Sequence, residues 1–461
     1  MSSEAGSGLG ESALVVFQVN DSAGNPLPNR LVELRLLTGA GGVTMEGHGV
    51  EALNSIAPFT QTTNALGQVS ARVNSGTLPT PVRIHAQLAT NHAIATVSSN
   101  LSVAIGLPSQ LNFSLSQGTK NIEGYNIDGT ANTYQIIAAD RSGNPVPAGT
   151  SINFVTEGGQ VEPIKQIQLI GGLARATAGF VSADPRPADG RVTVTAFSLG
   201  EESFIDQNGN NRYDVGEPFQ DLGNLFKDRL FDGVYDASVD EYLPTNIANS
   251  SACMAVGAAS GATPATSALL ALNASIPSMP STCDSVWSGA GKVYVRRAAE
   301  TVLSTSPARA LWSSKSGLDA SCRTLTLQTG PQPTTFAVFT PVLGGETWYG
   351  NGSASMTLPF IVADANTFPA LGPNSTVGRL NPMASGTTMS ASTPTTGLKV
   401  VLGGGSPVPS TTEASLGAVG VNFDTVSAGV VFVTFTSPSG LGTTYAINVE
   451  KSSAGKFSTC P

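Results

Sequence analysis

Apolar and polar residues alternate along much of this chain. Val82, Ile84 and Ala86 alternate with Arg83, His85 and Gln87, while Val192, Val194 and Ala196 alternate with Arg191, Thr193 and Thr195. A period of two puts one face of an extended strand in a core and the other in water, so both stretches predict half-buried β-strands. With 51 Gly and 29 Pro, the chain is punctuated for short strands joined by turns rather than for long amphipathic helices. Its 461 residues suit three units, at roughly 150 residues per domain. The predicted fold class is all-β.

The pattern repeats. Residues 16–36, VFQVNDSAGNPLPNRLVELRL, match residues 135–155, QIIAADRSGNPVPAGTSINFV. Both run from an alternating strand into Asp, a Gly-Asn-Pro turn, a second Pro and another alternating strand. Gly and Asn permit the turn, and Pro fixes it by locking φ and removing an amide donor. A third copy is split: LPFIVADAN at 358–366 gives its first half and NPMASGTTMSA at 381–391 its second, with TFPALGPNSTVGRL inserted between. The downstream halves match as well, 64–88 against 171–199.

The strand-turn-strand unit, D-x-x-G-N-P-x-P at Asp21 to Pro28 and at Asp140 to Pro147, resembles the group 1 bacterial Ig-like domains of the invasin and intimin type. The resemblance implies tandem Ig-like β-sandwich domains in a surface-exposed bacterial protein, serving as stalk, adhesin or both. Boundaries are placed at 1–106, 107–312 and 313–461, with the middle unit enlarged by a large irregular insertion at about 200–290. Partners are then a cell-surface protein or a polysaccharide.

Charge changes this picture locally. The net charge is −9, yet eleven acids fall between Glu201 and Glu241 against only Arg212, Lys227 and Arg229. The rest of the chain is nearly neutral, which argues against nucleic-acid or anionic-membrane surfaces. No apolar run reaches the ~18 residues of a membrane span, and the N-terminus lacks the basic and apolar regions of a secretory signal. The chain reads as a piece of a longer exported protein. Four cysteines without metal-type spacing agree with an oxidising compartment; the pairing preferred is Cys253 with Cys283 and Cys322 with Cys460.

Within the acidic stretch, DQNGNNRYDVGE fills a twelve-residue calcium-loop template. Asp206, Asn208 and Asn210 take positions one, three and five, the Arg212 carbonyl takes seven, Asp214 nine and Glu217 twelve. Calcium wants six to eight hard oxygens in a flexible shell, which this spacing supplies. Position six, normally Gly, is Asn211. A weaker second loop follows with Asp228, Asp232, the Val234 carbonyl and Asp236, its terminal acid arriving one residue late as Asp240. The first loop resembles the calcium loops of dockerins and of the B repeats of Gram-positive surface adhesins, over about a dozen residues. Seven aromatics interleave with the acids, unlike a disordered acidic tail.

No histidine has the spacing of a zinc or catalytic site, and no nucleophile elbow or phosphate loop is present, so the chain reads as non-enzymatic. Trp287, Trp312 and Trp348 read first as core or interface aromatics. The exposed-looking WYGNG, with Trp348 and Tyr349, is the candidate ligand platform for a rival reading as a carbohydrate-binding region of a secreted enzyme. A structural shaft or filament subunit is the other alternative.

Overall fold

The computed structural model describes residues 11–53, 56–76, 80–99, 101–103, 106–209, 213–231, 235–236, 238–243, 286–288, 293–312, 324–327, 334–337, 347–350, 352–366, 375–377 and 379–452. Among them the helical content is one 3-10 turn at Gln110–Asn112; everything else regular is strand. The all-β expectation therefore holds, and the strands group into three sandwiches in series.

One plan recurs in each. In the first sandwich β1 (Ser12–Gln18), β2 (Leu31–Thr38), β3 (Gln68–Asn74), β4 (Thr80–Leu88) and β5 (Asn91–Val97) form two sheets, β1 pairing with β3, and β2, β4 and β5 running in that order. In the second, β6 (Phe113–Gln117), β7 (Ala131–Ala138) and β9 (Leu173–Val181) make one sheet, while β8 (Ser151–Thr156), β10 (Arg191–Gly200) and β11 (Val293–Leu303) make the other. In the third, β12 (Ala308–Trp312), β13 (Ser355–Asp364) and β15 (Ser415–Phe423) face β14 (Thr388–Ser392), β16 (Ala428–Thr436) and β17 (Gly442–Glu450). These pairings are antiparallel, and each sandwich closes over its own core. The inward faces read from the sequence are the inward faces observed: Val82 and Ile84, like Val192 and Val194, are fully buried. The half-buried expectation fails for β10, where Arg191, Thr193 and Thr195 on the other face are buried as well.

The repeated turn shows why its residues recur. Asp21 Oδ1 accepts the amides of Ala23 and Asn25, and Asp140 Oδ1 accepts those of Ser142 and Asn144. In both copies the Asp amide donates to the Asn carbonyl and a Gly follows with φ of 87° or 80°, a left-handed geometry that a side chain resists. The split third copy keeps the same closure. The Asp364 amide donates to the Asn381 carbonyl at 2.9 Å, and Asp364 Oδ1 accepts the Asn366 amide at 3.0 Å. The inserted residues therefore leave from a turn that is still fastened at its base.

One boundary shifts. The expected end of the second domain at 312 lies one strand too late, because β12 pairs with β13 of the third sandwich and buries Ala308, Ala310 and Trp312 there. The chain changes sandwich between Leu303 and Ala308. The insertion occupies residues 201–292 and has a defined seat. Gly200 stands opposite Val293 at the open end of the β10–β11 ladder. In the first sandwich the corresponding β4–β5 connection is a turn of Ala89 and Thr90.

The second and third sandwiches meet in a polar seam. Asn121 donates to the carbonyls of Met383 and Pro409 and accepts the Thr411 amide. The buried Glu300 carboxylate takes Arg191 at 2.9 Å and a two-pronged Arg379 at 2.9 and 2.8 Å. Such paired guanidinium contacts fix orientation as well as contributing energy. Glu123 accepts the amide and hydroxyl of Ser439 at 2.8 and 2.6 Å. Between the first and second sandwiches, by contrast, Asn144 reaches the Val103 carbonyl at 3.4 Å across an open cleft lined by Pro81, Arg83, Ser102 and Leu169.

Burial works to raise the Glu123 pKa, but hydrogen bonds from Ser306, Ser439 and Ser437 outweigh it and hold the carboxyl below its usual range. A depressed carboxyl contributes stability above its unfolded pKa and loses it as pH falls through the folded value. Unfolding measured from pH 7 down to pH 3 should therefore show Glu123→Gln less stable than the parent at neutral pH, with the difference shrinking in acid. A constant difference across that range would contradict this role.

Candidate functional site

The insertion is docked before it does anything else. Glu202, almost wholly buried, accepts the Leu222 amide at 2.7 Å on Oε1 and the Ser288 amide at 2.6 Å on Oε2, tying the outgoing and returning chain together. Beside it lies Arg296 of β11, whose guanidinium burial pushes down to about 9 against the opposing charge of Glu202. Glu201 receives Arg141 at 2.9 Å, and the same guanidinium lies 5.5 Å from the Phe204 ring centre. Arg141 belongs to the repeated turn, where the first copy has Ser22. The copy carrying the insertion thus carries the cation that holds it.

Aromatic packing does the rest. Trp287 stacks on Tyr213 at 5.0 Å and 18°, and Phe204 and Phe219 meet this pair edge-on. The Trp287 indole N–H donates to the Glu202 carbonyl at 2.9 Å. Edge-to-face rings contribute about 0.5–1.5 kcal/mol per pair beyond their buried area. The interleaved aromatics of the sequence are therefore the floor beneath the first acidic loop, and burial followed by the charges of Glu217 and Glu202 raises the Tyr213 pKa.

That loop closes on itself. Asp206 Oδ1 accepts the Gly209 amide at 2.6 Å and Asn208 donates to Asp214 Oδ2 at 2.6 Å. The Glu217 carboxylate clasps both sides, taking the Gln207 amide at 2.8 Å and the Asp214 amide at 3.0 Å. Asp206, Asn208, Asp214 and Glu217 are brought into one turn, while Asn210, Asn211 and Arg212 lie outside the described residues.

The second loop is fastened in the same way. Asp240 takes the Arg229 amide at 2.9 Å on Oδ1 and the Asp236 amide at 2.8 Å on Oδ2. Arg229 and Asp236 are positions two and nine of this loop, as Gln207 and Asp214 are of the first. Both loops also stand on a short antiparallel ribbon with opposed aromatics, Phe204 against Phe219 and Phe226 against Tyr242. A duplicated unit of Phe, any residue, Asp, a loop, an acid, any residue and an aromatic is thus present twice. The sequence reading missed it, although the two Phe-x-Asp starts signal it. Asp228 is buried, Asp232 and Val234 lie outside the described residues, and the loop packs near Glu157, whose carboxyl burial pushes up to about 8.

The donor set is hard oxygen throughout, which suits calcium. Among the described residues no three acidic, His or Cys side chains converge closely enough to hold a metal, and the Asn208–Asp214 bond joins two of the ligand positions to each other. The other candidates fare differently. Trp348 is 5% exposed and packs in the third core through a short parallel strand beside β17, which is its first reading and not the rival ligand platform; the Tyr349 side chain lies outside the described residues. Cys253, Cys283, Cys322 and Cys460 all lie outside them too. No described helix is long and apolar enough to cross a membrane.

No protein-family model and no curated protein matches the chain. Similar solved structures include invasin, a bacterial integrin-binding protein, at 14% identity over 95% of this chain and 60% of that one, with a TM-score of 0.21. The D0-D1 domain of intimin matches at 16% identity over 40% of this chain and 82% of that one, with a TM-score of 0.18. A C-terminal 282-residue fragment of intimin in complex with the intimin-binding domain of its translocated receptor matches at 10% identity, 73% and 63% coverage and a TM-score of 0.21. The chain thus spans less than two thirds of the invasin structure and of the intimin fragment. The sandwich assignment stands on the sheets and registers of the chain itself.

Trp287→Ala should loosen the insertion without unfolding the sandwiches. Limited proteolysis is expected to cut first between residues 204 and 243 in the variant, while the main melting transition stays within about 2 °C of the parent. Equal protease resistance of both proteins would show that the aromatic floor does not hold the loops.

Proposed function

We propose that the chain is a non-enzymatic, outward-facing stalk of a bacterial surface adhesin, carrying a calcium-ordered insertion on its middle module, with a cell-surface protein or polysaccharide as partner. The observation that carries this reading is the seam between the second and third sandwiches. Asn121, Glu123 and Glu300 fix one module on the next with directional bonds, which is what a spacer that holds its length requires.

In this reading calcium is held by Asp206, Asn208, Asp214 and Glu217, with Asn210 and the Arg212 carbonyl completing the first set, and by Asp228, Asp232, the Val234 carbonyl, Asp236 and Asp240 in the second. When bound, calcium neutralises clustered carboxylates and cross-links each loop to its own base. The fit is supported by the shared closure at positions two and nine, and by the Asn208–Asp214 bond, which metal binding would exchange for coordination. Two disulfides, Cys253 with Cys283 and Cys322 with Cys460, belong to the same exported setting.

At calcium about 100 times above its dissociation constant, binding to the folded form alone adds roughly 2.7 kcal/mol. Melting should accordingly rise with calcium over a chelator control, and Asp206→Ala combined with Glu217→Ala should remove the first loop's share. If calcium moves neither protein, the calcium reading is wrong. Peptide mapping without reductant is expected to recover both cysteine pairs; four free thiols would remove the exported setting.

A further inference from the structure

The two junctions between sandwiches are built differently. Between the second and third, the connecting residues are gripped by both modules. The Ser304 amide donates to the Ile122 carbonyl of the second, and the Ser304 hydroxyl to the Pro382 carbonyl of the third at 2.8 Å. The Thr305 amide donates to Asp364, in the repeated turn of the third module, at 3.0 Å. The seam of Asn121, Glu123 and Glu300 then joins the modules directly.

The residues that lead into the second sandwich, Pro108 to Asn112, are held by three elements of that sandwich. The repeated turn is the first: the Ser109 amide donates to the Ala139 carbonyl at 3.0 Å, and the Asn112 side chain to the Asp140 carbonyl at 2.6 Å. β11 is the second. Gln110, wholly buried, donates to the Arg296 carbonyl at 2.8 Å and accepts the Arg296 amide at 2.9 Å.

The third element is the base of the insertion. The Glu201 amide donates to the Pro108 carbonyl at 3.1 Å, beside a parallel bridge between Ser109 and Glu201. Ser203 Oγ accepts the Leu111 amide at 2.9 Å and lies 3.2 Å from the Ser109 hydroxyl. Ser109 and Ser203 are 1% and 2% exposed, so water does not stand in when these bonds are lost. Gly200 permits the approach, since a Cβ there would lie 2.2 Å from the Pro108 carbonyl oxygen. On the other flank Arg141 holds Glu201, and the turn that carries Arg141 also carries Asn144, the side chain that reaches Val103 of the first sandwich. A two-residue turn like the one between β4 and β5 would supply neither Glu201 nor Ser203.

We infer that the insertion is a clamp on the junction between the first and second sandwiches. While its base is docked, Pro108 to Asn112 move as part of the second sandwich, and the first pivots ahead of Pro108. When the base undocks, the Leu111 amide and the Pro108 carbonyl lose their partners and the pivot lengthens towards Phe113. The first sandwich then samples a wider range of angles across the cleft lined by Pro81, Arg83 and Leu169. Whatever orders the insertion therefore sets the direction of the first module. The clamp is made of the chain's own bonds and goes beyond the calcium reading rather than resting on it.

The test measures both junctions in the full chain. Spin labels carried on ketone side chains at the exposed positions Thr96 and Thr177 report the first junction, and labels at Thr177 and Ser390 the second, by pulsed electron paramagnetic resonance. Ser203→Val removes the hydroxyl that serves Leu111 and Ser109, and Arg141→Gln releases Glu201 from the other flank. Each should widen the Thr96–Thr177 distance distribution and leave the Thr177–Ser390 distribution unchanged. Amide exchange at Leu111 should quicken by about tenfold or more in Ser203→Val. Unchanged exchange at Leu111, or faster exchange without a wider Thr96–Thr177 distribution, overturns the inference. Widening of both distributions together also overturns it, because the second sandwich itself has then loosened. Repeating the measurement in calcium and in chelator separates the two readings. Widening by the variants in both conditions supports the clamp, even where calcium moves nothing in the parent, a result that counts against the calcium reading alone.

Discussion

A β-sheet cannot end without leaving one strand half unpaired, and this constraint organises the molecule. Each sandwich here has the same inner strands, and the differences lie in how outer edges and open ends are closed. The second and third modules spend a short preceding strand on the task. The seam between them recruits turns and side chains, so that Asn121 makes ladder-like bonds to main-chain groups of a different domain. An unmet amide costs about 1–3 kcal/mol when buried, which is why these closures fix where the modules sit.

Much of this was legible in the sequence because the turn chemistry is strict. Asp, Gly, Asn and Pro must stand at fixed offsets for an Asp carboxylate to collect two amides, so the repeat shows itself even when the third copy is split. Period-two alternation located the inward faces of β4 and β10 for the same reason. The covering strands were harder. FSLSQ and ARALW are short, rich in small residues, and unlike each other, so comparison of the chain with itself passes over them. Trp348 could be read two ways because its partner strand, β17, lies about a hundred residues away, and Gly on either side imitates an exposed loop.

The acidic stretch was half legible. Ligand spacing revealed the first loop, since carboxylate and amide positions in a calcium template are set by backbone geometry. The second is fastened by an aspartate one residue later, and a shorter side chain reaching from a later position gives the same clasp. Linear templates do not register such compensation. What held the insertion was also invisible, because Glu202, Arg296, Trp287 and Arg141 come together from four separate segments.

The seat of the insertion has a mechanical side. Gly200 and Val293 are neighbours across ten paired positions of β10 and β11. When the chain is pulled from its ends, tension crosses from one strand to the other through that ladder rather than running through residues 201–292. The side loop stays slack for as long as the ladder holds. In the stalk proposed above, the charge-dense appendage would keep its resting shape while the ladder beneath it carries the load.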